Sequence, residues 1–153
     1  MRTLSTSVLS VCIMLCSLCT FAQDQKTPLN EPDYNKPRLF NDLPDRIDFN
    51  PANLVNLFQL KMGQSVTIPL TSGFNYTGEV VSTSNEANVT SVVIRSTNRA
   101  GARLTFTKVT DANNAVKYIG RIISLQYGDT YEIVLENDQY YFKKKGLYDL
   151  VNE

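Results

Sequence analysis

The chain has 153 residues, and its 15 Lys and Arg balance its 15 Asp and Glu, so the formal net charge is zero. This balance favours neither a nucleic-acid partner nor an anionic membrane surface. The chain has no His, and its three Cys all lie near the N-terminus. The rest of the chain therefore excludes a Ser-His-Asp triad, a thiol nucleophile and a thiolate or imidazole zinc site.

The first stretch of the chain, residues 1–22, has the pattern of a secretory signal peptide. Arg2 supplies a positive charge, an apolar run extends from Val8 to Leu18, and Thr20 and Ala22 are the small residues of a peptidase site. The apolar run is too short for a membrane span and has no stop-transfer charges. We therefore expect an exported protein, periplasmic or extracellular after cleavage near Ala22, with no transmembrane span after processing.

The cysteines of this segment raise the alternative of a lipoprotein. Lipidation needs a small residue just before the modified Cys, whereas Leu15 precedes Cys16 and Leu18 precedes Cys19. We expect Cys12, like the other two cysteines, to be removed with the signal peptide. The mature domain must then be held by its own core, without disulfides.

Residues 23–49 are predicted to form a Pro-rich N-terminal arm, because closely spaced prolines forbid a helix and disfavour a central strand. Two interpretations stay open. The polar composition fits a disordered tether. Alternatively, the arm lies along the domain or along a partner, anchored by Leu39, Phe40 and Leu43. The prolines are Pro28, Pro32, Pro37 and Pro44.

A short helix is predicted over residues 51–62, at the start of a single β domain that spans residues 50–153. Asn50 is a good N-cap, and Pro51 loses no hydrogen bond at the first helical position. Gly63 suits the helix stop. An apolar stripe at near-helical spacing is expected to pack on the sheet or to plug one end of a barrel. The stripe consists of Leu54, Leu57, Phe58 and Met62.

Two matching stretches organise the rest of the chain. Phe74–Ser82 and Val116–Ser124 share the pattern Tyr-x-Gly-x-[Val/Ile]-[Val/Ile]-Ser, and two more runs of alternating apolar residues follow each of them. We interpret this as a β-meander used twice, with six strands between about Phe74 and Lys145. The expected fold class is mainly all-β: a small antiparallel barrel or sandwich built from two three-stranded meanders, with one short N-terminal helix.

Prolines, glycines and apolar patterns indicate where individual strands lie in the predicted sheet. The run Ser65–Leu70 is predicted to be an edge strand, because Pro69 confines it to an edge or to a strand end. Gly78 and Gly120 recur in mid-strand; either they mark a bend or a close backbone crossing, or their missing side chains make room for a ligand. Apolar residues on both faces of Val116–Ile123 predict a strand that is covered on both sides.

The candidate binding surface combines tyrosines with lysines of the last strand. Exposed Tyr suits a protein interface or stacking on a sugar ring, and Tyr127 in a turn and Tyr141 on an outward face are expected to be exposed. The lysines either bind an anion or block edge-to-edge pairing. The set comprises Tyr127, Tyr131, Tyr141, Lys143 and Lys145.

Paired carboxylates leave one enzyme alternative, a carboxylate-dependent hydrolase. The candidates also fit hairpin turns and the solvated face of a strand; they are Asp129, Glu132, Glu136 and Asp138. The oxygen-bearing residues of segment 111–114 fit a hairpin connection better than a calcium loop, which needs more carboxylates at fixed spacing. We expect no catalytic, cofactor-binding or metal-ligating residue.

These observations predict an exported, non-catalytic β domain that acts by binding another envelope or secreted protein. Its binding surfaces would be the Pro-rich arm, the edge strand near Val66–Leu70 and the last strand near Tyr141, since open strand edges add to a partner's sheet. The alternative is a carbohydrate- or small-ligand-binding module that uses Tyr127, Tyr131 and Tyr141. No cofactor and no nucleic-acid partner are expected.

Overall fold

The computed structural model describes residues 35–149 and the backbone of Leu150, so the predicted signal peptide and the first part of the predicted arm lie outside the described residues. In this range no helix is both long enough and apolar enough to cross a membrane. Two 3₁₀-helices are present, Pro51–Gln59 and Leu147–Leu150. The strands are β1 (Arg46–Asp48), β2 (Ser65–Thr71), β3 (Phe74–Glu86), β4 (Val89–Ser96), β5 (Arg103–Thr110), β6 (Val116–Ile123), β7 (Asp129–Glu136) and β8 (Gln139–Gly146).

The eight strands form one antiparallel sheet, strongly curled into a half-barrel. From β2 to β8 the strands neighbour one another in chain order, as in a meander, and β1 pairs with β8. The mainly all-β, meander-like prediction is confirmed, and the described residues form one sheet rather than the two facing sheets of a sandwich. β1 and β2 are the two edges, and Pro69 lies in β2, where an edge tolerates proline.

The segment after β1 forms a 3₁₀-helix over Pro51–Gln59. The Asn50 side-chain oxygen accepts a hydrogen bond from the Ala52 N–H at 2.9 Å, which caps the first turn. Leu54 and Leu57 are buried against the sheet. The helix ends earlier than the predicted residue 62, and Met62 is 68% exposed, so this residue does not belong to the buried stripe.

The core lies on the concave side of the curled sheet. Ile94, Leu104 and Ile122 are fully buried there, and burial of each stabilises the fold by about 1.5–3 kcal/mol. A continuous series of aromatic rings fills the remaining space, with neighbouring ring centroids 4.6 to 6.5 Å apart. In order of contact these rings are Phe58, Phe106, Tyr118, Tyr140, Phe49, Phe142, Tyr131 and Phe40. A domain of this size therefore has a core that needs no disulfide.

The two recurring glycines lie where neighbouring strands approach closely. A Cβ at Gly78 would stand 2.5 Å from the carbonyl oxygen of Arg95, and a Cβ at Gly120 would collide with the carbonyl oxygen of Thr105. Side chains are not tolerated at such separations without a shift of the backbone. The geometry therefore supports the interpretation of these glycines as close backbone crossings.

The arm closes the end of the half-barrel at which the turns β4–β5 and β6–β7 lie. Phe40 is fully buried against the Tyr131 ring at 5.2 Å, Leu43 is buried, and Leu39 packs partly on the core. For residues 35–49 the structure thus shows the docked arrangement. The last residues of the predicted arm, Arg46–Asp48, are themselves strand β1 of the sheet.

Polar contacts hold the irregular arm in place. The buried carboxylate of Asp129 accepts from the N–H groups of Leu39 and Phe40 at 2.6 and 2.9 Å. Arg99 donates to the Leu39 carbonyl at 3.0 Å and to Asp42, and this hydrogen bond lowers the pKa of Asp42. Further arm carbonyls accept from the Gly128 N–H, the Lys144 ammonium and the Tyr131 hydroxyl; these are the carbonyls of Pro37, Leu43 and Pro44.

Candidate binding site between strands β6 and β7

The curled sheet is split between β6 and β7 at the end opposite the arm. These two strands share three residue pairs, from Arg121↔Glu132 to Ile123↔Thr130, whereas β5–β6 and β7–β8 share eight each. Beyond Arg121 and Glu132 each strand continues, paired only with its other neighbour. We call the two unpaired stretches, Val116–Gly120 of β6 and Ile133–Glu136 of β7, the β6–β7 split.

Two side chains lie where the pairing of β6 and β7 ends. Ile133 packs where a Cβ of Gly120 would stand, with its Cδ1 only 3.1 Å from that position. The Tyr118 N–H donates to the Tyr140 hydroxyl at 3.1 Å. In a continuous sheet the register would place Leu135 opposite Tyr118, so the tyrosine hydroxyl takes the role that a β7 carbonyl would have.

Backbone groups of both strands point into the split. In an antiparallel sheet, alternate residues direct their N–H and C=O groups to opposite sides of the strand. The Tyr118 N–H bond to Tyr140 and the Ile122 carbonyl, which accepts from Thr130 Oγ1 at 2.7 Å, show that even-numbered residues of β6 face β7. The odd-numbered residues of β7 face β6, since Gly128 pairs with the other side through its carbonyl.

The groups that face the split without a strand partner therefore include those of Val116 on β6 and of Leu135 on β7, within the part of the chain that the structure describes. Backbone groups of this kind are the ones that an added strand satisfies. Both sides of the split thus present a template for strand pairing.

Exposed apolar side chains border the split. Val116 is 46% exposed, Ile119 is 42% exposed and Leu135 is 45% exposed, although all three are large aliphatic residues within strands. The cavity between the strands has a volume of about 470 Å³. It is lined by Lys117, Tyr118, Ile119, Gly120, Glu132, Ile133, Val134, Leu135 and Lys145. A clustered apolar border with unpaired strand edges is typical of an interaction surface.

The charges next to the split are unequal. Glu132 forms an ion pair with Lys145 at 2.8 Å. Glu136 accepts from the Tyr141 hydroxyl at 2.7 Å, and this hydrogen bond raises the pKa of Tyr141. Lys117, by contrast, forms no ion pair with any described residue. The carboxylates of β7 are already engaged, whereas the β6 side keeps an uncompensated positive charge.

The predicted tyrosine surface does not form. Tyr131 is fully buried in the core, and Tyr141 is only 3% exposed, so the expectation of an exposed Tyr141 is wrong. Tyr141 does lie on the convex face, but the Arg46 guanidinium from β1 covers its ring at 3.9 Å from the centroid. Tyr127 is half-buried in the β6–β7 turn. Neither Tyr131 nor Tyr141 offers a ring face for stacking on a sugar.

The two predicted lysines are placed differently from each other. Lys143 is exposed on the convex face and pairs in register with Glu132, whereas Lys145 is half-buried beside the split. Both also line a second cavity of about 410 Å³ near Asp129 and Gly146. Its lining contains four cations and three carboxylates, so most of the positive charge there is offset.

The four candidate carboxylates do not converge on one cleft. Asp129 is buried on the concave side and holds the arm, while Glu132 points to the convex face. Asp138 is exposed at the β7–β8 hairpin with φ 60°. No cluster of three metal-ligating side chains occurs among residues 35–149, and Asp111 caps its own hairpin by accepting from the Ala115 N–H at 2.8 Å.

One indirect signal for the split is present in the amino-acid pattern of β6. Apolar residues on both faces of this strand predict that both faces are covered, but Ile119 is 42% exposed. β6 lies within the sheet order, as that expectation requires, and yet its convex face has no second layer. An apolar residue on an uncovered face is the feature that marks the split.

Comparison with known protein families, with curated proteins and with solved structures finds no match for this chain. No relative's activity bears on the chain. The geometry of the β6–β7 split is the observation on which a function rests.

Proposed function

We propose that the protein is an exported, non-catalytic β domain that binds another envelope or secreted protein by strand addition at the β6–β7 split. The observation that carries this proposal is the pair of strand edges in the interior of the sheet, bordered by exposed Val116, Ile119 and Leu135. An extended peptide placed there gains main-chain hydrogen bonds for affinity and side-chain contacts for specificity.

The split is a better site for strand addition than the outer edges of the sheet. The edge strand β2 contains Pro69, which interrupts the row of N–H donors, and β1 is only three residues long. Neither proline nor a bulge protects Ile133–Glu136 of β7. Residues 81–86 of β3 also extend beyond β2, but the exposed side chains there are polar. A partner strand therefore finds unpaired backbone groups together with exposed apolar side chains in the split.

Other functions gain less support from the geometry. Stacking on a sugar needs an accessible ring, and Tyr131 and Tyr141 are buried. Carboxylate-dependent hydrolysis needs two carboxyls across one cleft, whereas Asp129 and Glu132 lie on opposite faces of the sheet. Protein binding is accordingly the function that we propose.

Export and organisation complete the proposal. Residues 1–22 serve as a signal peptide, residues 23–49 as the arm and residues 50–153 as one β domain. The matching stretches that begin β3 and β6 support an origin of β3–β5 and β6–β8 from one three-stranded meander, with the Pro51–Gln59 helix as an addition before them. N-terminal sequencing of the protein from its native host tests the export: Gln23 at the N-terminus is expected, and a chain that retains Met1 contradicts it.

A selection of random peptides on the chain 23–153 tests strand addition. Leu135→Pro removes the N–H that faces the split, and residue 135 contributes no N–H to the β8 ladder. Ile119→Thr removes an apolar border residue but keeps strand propensity. Val89→Thr is the matched control, because Val89 is 39% exposed on β4, which β5 separates from the split. Circular dichroism and thermal melting establish that each variant folds.

Selected peptides should bind the wild type and Val89→Thr equally. We expect Leu135→Pro to weaken binding about tenfold, about 1.4 kcal/mol, because a hydrogen bond and close approach are lost. We expect a smaller, roughly fivefold loss for Ile119→Thr. A selection that yields no binder, or binders that tolerate both changes in folded protein, overturns the proposed function.

A further inference from the structure

The split has a charge pattern that restricts its partner, a restriction that rests on the proposed strand addition. Around the convex side of the split, the carboxylates of β7 are outnumbered by cations. Glu136 already accepts from the Tyr141 hydroxyl and lies 3.9 Å from Arg46, and Glu132 stands among four further cations. Arg121 and Lys143 are its neighbours in register on β6 and β8, and Lys145 forms the 2.8 Å ion pair. Lys117 extends the row of positive charge along β6 into the open part of the split.

The concave side of the split is apolar instead. Tyr118 and Ile133 point inward there, and the exposed Val116 and Leu135 continue the same side toward the open end. Successive side chains of a strand point to opposite faces of the sheet. A strand added in the split therefore sets one set of alternate side chains against an apolar surface and the other set beside Lys117.

The part of the sheet where β6 and β7 still pair shows which side chains a strand needs in order to lie beside β6. Where β6 still has a strand partner, β7 places Tyr131 in the core and Glu132 on the convex face, opposite Arg121. Cross-strand pairs of opposite charge stabilise a sheet, whereas like charges opposite one another destabilise it. An added strand meets the same kind of β6 surface one step further along, at Ile119 and Lys117.

We propose that the partner's segment is an extended strand in which acidic and apolar side chains alternate. Its apolar side chains lie on the concave side, against Tyr118, Ile133 and Leu135. Its carboxylates lie on the convex side and pair with Lys117. Lysine-bearing strands are disfavoured, because their ammonium groups would stand beside Lys117, where like charges repel.

Two probe peptides and a charge reversal test this inference. The probes are a peptide of alternating valine and glutamate and its counterpart with lysine in place of glutamate. They are titrated against the chain 23–153, its Lys117→Glu variant and the Lys61→Glu variant. Lys61 is an exposed lysine in the turn before β2, so the control carries the same charge change away from the split.

The glutamate peptide should bind the wild type, and more weakly at higher salt. We expect Lys117→Glu to weaken this binding about fivefold and to strengthen binding of the lysine peptide, whereas Lys61→Glu changes neither. A gain for one peptide cannot result from damage to the fold. The acidic pattern is overturned if both peptides bind equally well and the peptides selected for the split displace both of them. That result would leave strand addition itself intact. Failure of the strand-addition proposal is recognised separately, because peptide binding would then be unchanged in the Leu135→Pro variant.

Discussion

The two ends of the half-barrel satisfy their backbone groups in opposite ways. At the arm end, an irregular segment without secondary structure finds a partner for one group after another, including a buried carboxylate at Asp129 and the guanidinium of Arg99. At the other end, two regular strands diverge and leave N–H and C=O groups without strand partners. In this protein the irregular arm has hydrogen-bond partners for its backbone groups, whereas the regular strands β6 and β7 leave some of theirs without a strand partner.

This difference shows that the alternation of apolar and polar residues in a strand does not determine whether the backbone groups on its edge are hydrogen-bonded. The arm has no alternation to guide it, but Phe40 fills the core and side chains supply hydrogen bonds. β6 and β7 both alternate well, but their pairing ends at Arg121 and Glu132, and the Tyr118 N–H donates to the Tyr140 hydroxyl instead of to β7. A native protein tolerates such unpaired edges where function requires them.

The largest expected effect comes from opening the closed end. Asp129→Ala leaves the part-buried N–H of Leu39 and the buried N–H of Phe40 without an acceptor, and hydrogen bonds to charged groups contribute about 1.5–3 kcal/mol each. We expect a loss of about 3 kcal/mol in the free energy of unfolding, measured by urea denaturation. Asp138→Asn, at an exposed hairpin residue, is the control and should change stability little. An equally small effect at Asp129 would mean that the arm does not close this end.

A second change acts at the head of the split. Gly120→Ala forces a Cβ against the Thr105 carbonyl oxygen and toward Ile133, and overpacking of this kind costs about 1–3 kcal/mol. Gly73→Ala is the matched control, because no atom lies within 4 Å of its Cβ position. We expect thermal melting to separate the two variants, with Gly120→Ala the less stable. Equal melting temperatures would show that β5 and β6 do not approach closely at Gly120.

High pH should lower the free energy of unfolding, because two tyrosines near the arm end are buried in their neutral form. Burial raises the pKa of Tyr131, whose hydroxyl donates to the Pro44 carbonyl, and burial also raises that of Tyr76. Because both folded-state pKa values lie above the unfolded value of about 10, this contribution to stability is complete below about pH 10 and is lost as the pH rises beyond it. Urea denaturation at a series of pH values checks this. Tyr131→Phe should reduce the slope, and stability that stays constant well above pH 10 would contradict a role for these buried hydroxyls.

Sequence patterns predict the parts of this fold that depend on local alternation. The strands, their antiparallel succession and the edge position of Pro69 follow from spacing and proline chemistry. The burial of Tyr141 could not be predicted in this way, because it depends on β1 pairing with β8 and placing Arg46 over the ring. Sequence separation hides such contacts from any local pattern.

The candidate site is hidden from the sequence for the same reason. Asp129 has the sequence context of a turn residue, and its role in holding the arm depends on residues far away in the chain. The split lies where β6 and β7 stop pairing and where the Tyr140 hydroxyl accepts from the Tyr118 N–H, contacts that no single strand encodes. The apolar residue Ile119 on the convex face of β6 is the one local sign of the split. In the sequence alone, the same residue is equally consistent with a strand that is covered on both sides.

Amide hydrogen exchange in β7, followed by NMR, tests the central claim most directly. The Val134 N–H belongs to the β8 ladder, whereas the Leu135 N–H faces the split, so neighbouring residues of one strand should differ sharply in protection. The Tyr131 N–H, where β6 and β7 still pair, should be protected. We predict rapid exchange at Leu135 beside slow exchange at Val134. Equal, strong protection of both amides would mean that β6 and β7 pair along their full length, and would contradict the split.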